Sequence, residues 1–143
     1  MANRRSYRGI TYRSQFERRI AEHLHKMRIP FKYEPFELGY YLPKLGLCDS
    51  CGGTKVLIYR RYVPDFLVAD NILIEAKGRF TSVDRTKMKL VCHWNPEYDV
   101  RMMFQRDNFI TKRHKKRYST WCKEHDIPYA FDEKGHIPKW ITV

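Results

Sequence analysis

No apolar run in the 143-residue sequence approaches the ~18 residues needed to cross a bilayer. The opening segment, MANRRSYRGITYR, also lacks the apolar stretch of a secretory signal. A soluble, intracellular (cytoplasmic) protein without membrane association is therefore expected. Cysteine is scarce: four residues in an intracellular chain do not suggest a disulfide framework. Internal repeats, low-complexity segments and sharp shifts of composition are absent as well, so residues 1–143 are expected to form one domain. Acidic residues are outnumbered, 16 against 28 Lys plus Arg, which gives a formal net charge of +12. What is present is enough apolar material for a core, 43% hydrophobic and 15% aromatic, which excludes a disordered basic tail. The charge points to a polyanion, most readily nucleic acid, because cationic side chains release counterions condensed on phosphates. An anionic membrane is the weaker partner, since no basic amphipathic helix with a broad apolar face is evident.

Periodicity outlines a mixed α/β chain. Residues 1–13 read as a basic arm carrying Arg4, Arg5, Arg8 and Arg13. Phe16, Ile20, Leu24 and Met27 recur at helical spacing after Ser14, and Pro30 stops the run. A strand is predicted over 31–38, a loop-like insertion over 39–53, and a β-rich stretch over 55–62. Two apolar runs, 63–68 and 72–76, flank Ala69-Asp70-Asn71, a hairpin turn. A helix over 83–94, a strand over 100–104, a helix over 117–125 and a short strand over 128–131 complete the order. The crossover from Ile72 to Phe104 is expected to be parallel and right-handed.

The chemistry concentrates in Val63-Pro64-Asp65-Phe66 and Ile74-Glu75-Ala76-Lys77. Two residues apart on a strand, Glu75 and Lys77 share a face, while Ile74 and Ala76 take the other. A turn centred on Asp70 sets Asp65 opposite Glu75, with Cβ atoms roughly 5 Å apart. A register shift of one residue would put the two acids on opposite faces and abolish the site. Adjacent carboxylates repel, and a hard divalent cation relieves that repulsion. Mg²⁺ suits it best, because it keeps several waters and uses one or two carboxylates plus phosphate oxygens. Lys77 beside them is suited to orienting or deprotonating water and to offsetting charge on a phosphate. The competing reading is a charged strand face in solvent. The preceding proline, the apolar flanks, the hairpin register and the net charge together favour a phosphodiester hydrolysis site.

P-D and, ten positions after the Asp, E-x-K resembles the PD-(D/E)xK nuclease superfamily. The segments YRSQFERRIAEHL, IPFKYEPF, YVPDFLVADNILIEAKG, DRTKMKL, NPEYDVRMMF, WCKEHDIPYAF and IPKWI, in that order, resemble the phage endonuclease I family of Holliday-junction resolvases. The resemblance runs from about residue 12 to 141 and is interrupted at the cysteine insertion. It implies a restriction-endonuclease-like α/β core of helix, three strands, helix and strand, with a small Cys-containing insertion over 39–54. It also implies Mg²⁺ (with Mn²⁺ able to substitute) held by Asp65, Glu75 and the backbone carbonyl of Ala76, with Lys77 catalytic and Glu17 completing the site. A homodimer is implied, intertwined so that Glu17 of one subunit joins the other three residues from its partner, with 39–54 as a dimer bridge. The implied substrate is branched DNA, cut by in-line attack of water to leave a 5′-phosphate, in the cytoplasm of a bacterial host.

Three features carry more than one reading. Ser14-Gln15-Phe16-Glu17 fits a capping box, and a carboxylate folded back onto Ser14 is expected not to reach a metal site as well. The run Lys112-Arg113-His114-Lys115-Lys116-Arg117 is either a solvated loop or, with the arm arginines, a set of phosphate contacts that position DNA without reading sequence. Cys48 and Cys51, followed by Gly52-Gly53, look like half of a zinc knuckle. Their partners would be Cys122 and His125, or the same pair from a second subunit; reduced free thiols or a redox pair are the alternatives. Two rival functions stand beside the resolvase: another PD-(D/E)xK nicking nuclease (transposase subunit, repair or restriction type), and a non-catalytic, zinc-stabilised nucleic-acid-binding module.

Overall fold

A computed structural model of the chain describes residues 3–46, 53–113, 115–132 and 136–143. Where the sequence predicts an arm, β1 (Ser6–Tyr7) and β2 (Ile10–Thr11) form a small hairpin. Its two-residue turn, Arg8-Gly9, has φ of 48° and 80°, the left-handed pair that matches the twist of the flanking strands. Tyr12 behind it is buried against Tyr33 and Phe66.

Helix α1 (Gln15–Lys26) starts where the Ser14 hydroxyl accepts the Glu17 N–H at 3.1 Å, and it buries Phe16, Ile20 and Leu24 as their spacing predicts. The remaining elements are β3 (Phe31–Tyr33), β4 (Leu38–Gly46), β5 (Thr54–Tyr62), β6 (Phe66–Val68), β7 (Ile72–Lys77), α2 (Ser82–Trp94), β8 (Asp99–Phe104), β9 (Phe109–Thr111), β10 (Lys116–Arg117), α3 (Tyr118–Glu124) and β11 (Tyr129–Phe131). A 3₁₀ turn, Lys139–Thr142, follows. The result is a mixed α/β fold with three helices among the described residues.

Five strands form the main sheet in the order β11-β8-β7-β6-β3. The α2 crossover makes β7 and β8 parallel, as expected, whereas β6 and β3 run antiparallel. Residues of β7 alternate between the two faces. Ile72 and Ile74 pack with Phe16, Ile20 and Leu24 of α1, and Leu73 packs with Met88 and Val91 of α2 and Trp121 of α3. Continuing that alternation aims Glu75 and Lys77 at the α2 side.

Two sequence expectations change here. Most of the loop-like insertion over 39–53 is strand: β4 and β5 pair antiparallel along their whole length, from Leu38↔Tyr62 to Gly46↔Thr54. Leu38 and Tyr40 alternate inward over the core, a period hidden in the sequence by Gly39, Pro43 and Gly46. Gly39 answers to a close approach: a Cβ there would meet the Tyr59 ring at 2.6 Å. Cys48 and Cys51 lie outside the described residues, and so does the zinc expectation built on them. Secondly, Lys116 and Arg117 of the basic run form β10, which pairs antiparallel with β9, so the following helix starts at Tyr118 rather than Arg117.

Candidate active site

The β6–β7 register places Phe66 opposite Ile74 and Val68 opposite Ile72, as a turn centred on Asp70 requires. Extended by one residue, it brings Asp65 to Glu75. The Oδ2 of Asp65 accepts the N–H of Ala76 at 2.8 Å, and the Asp65 carbonyl accepts the N–H of Glu34 at 2.9 Å. Glu75 accepts a hydrogen bond from the Tyr62 hydroxyl on Oε2, and its Oε1 lies 3.3 Å from the ammonium of Lys77. Lys77 in turn sits 3.5 Å from Asp84, whose carboxylate also accepts the N–H of Thr81 at 3.0 Å at the start of α2.

Both acids are buried, Asp65 8% and Glu75 3% exposed. Burial, then the nearby charge of Glu75, pushes the Asp65 carboxyl up to about 8, against the hydrogen bond from Ala76. Burial also raises Glu75, although Lys77 and Tyr62 pull it back. Burial would lower Lys77, but Glu75 and Asp84 outweigh it and hold the ammonium above its ordinary pKa. Asp84 is lowered: burial opposes this, and the Thr81 hydrogen bonds and Lys77 outweigh it.

Glu17 corrects a sequence expectation. It caps and faces the cavity at once. Its Oε1 accepts from the Ser14 hydroxyl at 3.3 Å, and its Oε2 accepts from the Arg13 N–H at 3.3 Å and the Tyr33 hydroxyl at 2.5 Å. The cap geometry does not withdraw the carboxylate, because these donors hold it at the entry to α1, beside β3. Glu17, Asp65, Glu75, Ala76 and Lys77 line one cavity of about 370 Å³ together with Arg13, Tyr62 and Lys87. The resemblance assigns Glu17 to a partner's site; here it borders the cavity of its own chain.

Of the basic residues singled out in the sequence, Arg13 belongs to this cavity and pairs with Glu34 at 2.6 Å. Arg4, Arg5 and Arg8 are exposed on the N-terminal hairpin, with Arg5 bonded to the Arg13 carbonyl and Arg8 over the Tyr7 ring. Lys116 pairs with Glu124 at 2.6 Å, and Arg117 lies 4.0 Å over the Phe109 ring while donating to the Asp107 carbonyl. Lys112, Arg113 and Lys115 stand exposed between β9 and β10. Cys122 is a core residue, its thiol pushed up to about 12 by burial. Its proposed zinc partner His125 turns Nδ1 to the Trp121 carbonyl at 2.8 Å. Among the described residues, no group of three or more His, Cys, Asp or Glu is arranged to hold a metal ion.

Sequence reading missed Tyr33, Tyr62, Asp84 and Lys87. A signal existed for the last two. Asp84 and Lys87 are three apart on a helix, so they share a face, and the crossover directs that face at the strand bearing Glu75. The two tyrosines gave no comparable sign among ten.

With this geometry in view, comparison with known proteins is specific. The family model for phage endonuclease I matches residues 1–141. Endodeoxyribonuclease 1 of Enterobacteria phage T3 is 31% identical over 127 residues, covering 88% of this chain and 75% of the relative. Endonuclease I of Escherichia phage T7 is 30% identical over 133 residues, covering 91% and 78%. The matched span takes in α1, the β6–β7 hairpin and the helix facing it, and the chain belongs to the phage endonuclease I family.

Proposed function

We propose that this protein is a Mg²⁺-dependent, structure-selective DNA endonuclease that resolves branched DNA such as four-way (Holliday) junctions by phosphodiester hydrolysis. Family membership and the relatives' names support the deoxyribonuclease activity. The observation that carries the mechanism is the burial of Asp65 and Glu75 side by side, with Lys77 between Glu75 and Asp84. The order of α1, three sheet strands, α2 and β8 supports a restriction-endonuclease-like core bearing a PD-(D/E)xK site.

The residues suit a hard divalent ion. Asp65, Glu75 and the Ala76 carbonyl would supply oxygen ligands, with Glu17 lining the same cavity; an ion that uses one or two carboxylates would keep its other positions for water and phosphate. When bound, Mg²⁺ (or Mn²⁺) supplies positive charge for phosphate oxygens and acidifies a water. The chain's own residues do the rest. Tyr62 and Lys77 fix the two oxygens of Glu75, and the Ala76 N–H fixes Asp65. Lys77, whose ammonium is held by Glu75 and Asp84, is placed to orient water or to donate to a phosphate oxygen. In-line attack by water then leaves a 5′-phosphate.

The long β4–β5 pair, with Tyr41, Val56, Leu57 and Tyr59 exposed, supports a homodimer through this bridge. Exchange of the bridge between two copies would preserve each site's contacts while drawing Glu17 from one subunit and Asp65, Glu75 and Lys77 from the other. A solution mass of twice 17.4 kDa is the check on the dimer.

The test is cleavage of a four-way DNA junction with Mg²⁺ by the wild type, Glu75→Ala and Lys77→Ala. The wild type should cut the junction in preference to linear duplex, and each variant should lose about a thousandfold in rate. Equal inactivity of all three would leave a DNA-binding module, and equal cutting of linear duplex a general nuclease.

A further inference from the structure

Four cations line the site cavity: Arg13, Arg61, Lys77 and Lys87. Three of them are engaged by carboxylates. Arg13 pairs with Glu34 at 2.6 Å, Arg61 with Glu37 at 3.5 Å, and Lys77 with Glu75 at 3.3 Å and Asp84 at 3.5 Å. Lys87 has no carboxylate within ion-pair distance among the described residues. Its ammonium stands 5.3 Å over the centroid of the Tyr62 ring, the same ring whose hydroxyl holds Glu75.

We infer that Lys87 is a substrate-binding residue of this site, receiving a non-bridging oxygen of the DNA phosphate that enters the cavity. The inference rests on the nuclease reading and adds to it a residue that the D…E-x-K pattern does not contain. A cation already satisfied by a buried carboxylate must give up part of that pairing to bind a phosphate. Lys87 gives up nothing but water and a ring contact, which costs little and leaves its charge available. Its position is also supported from two sides. The aliphatic stem rises from α2, whose packing through Met88 and Val91 fixes the helix against the sheet. The Tyr62 ring lies under the charged end and is itself buried. An unpaired ammonium at the wall of an acid-lined cavity also answers the charge problem of the site. A phosphate approaching Asp65 and Glu75 meets repulsion, and Lys87 opposes it from the α2 side. The charge of Lys87 already acts on Glu75 and Asp84 at longer range.

The inference is tested with the full-length protein in single-turnover cleavage of a four-way DNA junction with Mg²⁺. Wild type, Lys87→Met and Lys87→Arg are compared over a range of DNA and salt concentrations, with Lys77→Ala as the uncut baseline. Melting temperatures are recorded for all. Methionine keeps an unbranched stem over Tyr62, so Lys87→Met should melt as the wild type does. Its DNA concentration for half-maximal rate should rise about tenfold or more, the loss of a charged hydrogen bond. The slope of log affinity against log salt should fall by about one. Lys87→Arg should recover most of both. A Lys87→Met protein with wild-type rate, half-saturation and salt slope overturns the inference, as does a loss that arginine fails to restore. If the wild type cuts no DNA, the nuclease reading itself falls. A wild type that cuts beside an unaltered Lys87→Met removes only the phosphate contact.

Discussion

The acid-lined cavity and the basic β9–β10 hairpin hold their charges in opposite ways. In the cavity every acid has a donor: Ala76 N–H for Asp65, Tyr62 and Lys77 for Glu75, Tyr33 and Ser14 for Glu17. At the hairpin tip, Lys112, Arg113 and Lys115 are exposed and make no ion pair among the described residues. The difference follows from the work each region does. Cleavage depends on a few charges held to fractions of an ångström, which requires burial and buried donors. Grip on a phosphate backbone depends on charge and reach, which a solvated loop supplies. Only the first region charges the fold for its chemistry, since two buried acids are raised in pKa there.

The sharpest way to break the comparison is to loosen one donor in the cavity. Tyr62→Phe removes only the hydroxyl that holds Glu75, and the ring that packs on α2 remains. Cleavage should fall on the order of tenfold to a hundredfold, and the Mg²⁺ concentration for half-maximal rate should rise. An unchanged metal titration would mean that Lys77 alone positions Glu75.

The hairpin should respond differently. Lys112→Gln, Arg113→Gln and Lys115→Gln together should lower the salt slope of junction binding by up to about three. The rate at saturating DNA should stay unchanged. A loss of that rate would show that the tip reaches the reacting phosphate and would erase the contrast.

The smallest effect concerns stability. Without metal, Asp65 binds a proton more tightly folded than unfolded, since its pKa rises from 3.8 to about 8. Between those values the folded state therefore loses stability as pH rises. Asp65→Asn keeps an acceptor for Ala76 and removes the charge. In EDTA it should melt a few degrees above the wild type at pH 8, with the gap closing towards pH 4. Equal melting at both pH values would mean that Asp65 is not penalised by burial.

How far the sequence carried this reading depends on the range of the interaction. Asp65 and Glu75 were legible because one short turn at Asp70 sets the register between them, and alternation fixes their face. The capping of α1 by Ser14 was legible for the same reason, but its consequence for Glu17 was not. Whether a capping glutamate also faces the cavity depends on where β3 brings Tyr33, sixteen residues away. The β4–β5 pairing was hidden because glycine and proline in an edge strand read as loop, and their cost there is met by a partner strand that local pattern cannot name.

The sequence by itself determined the positive charge, the helical and strand faces, the acid pair with its lysine, and the family. Each of these is written within a few residues or in the order of segments along the chain. The tertiary structure decided which donors hold each acid, which cations are already engaged, and which one, Lys87, is left without a carboxylate among the described residues. Those depend on α2 folding back over β7 and on β5 delivering Tyr62 beneath it. Such contacts join residues from separate elements, and periodicity along one segment carries no information about its partner across the core.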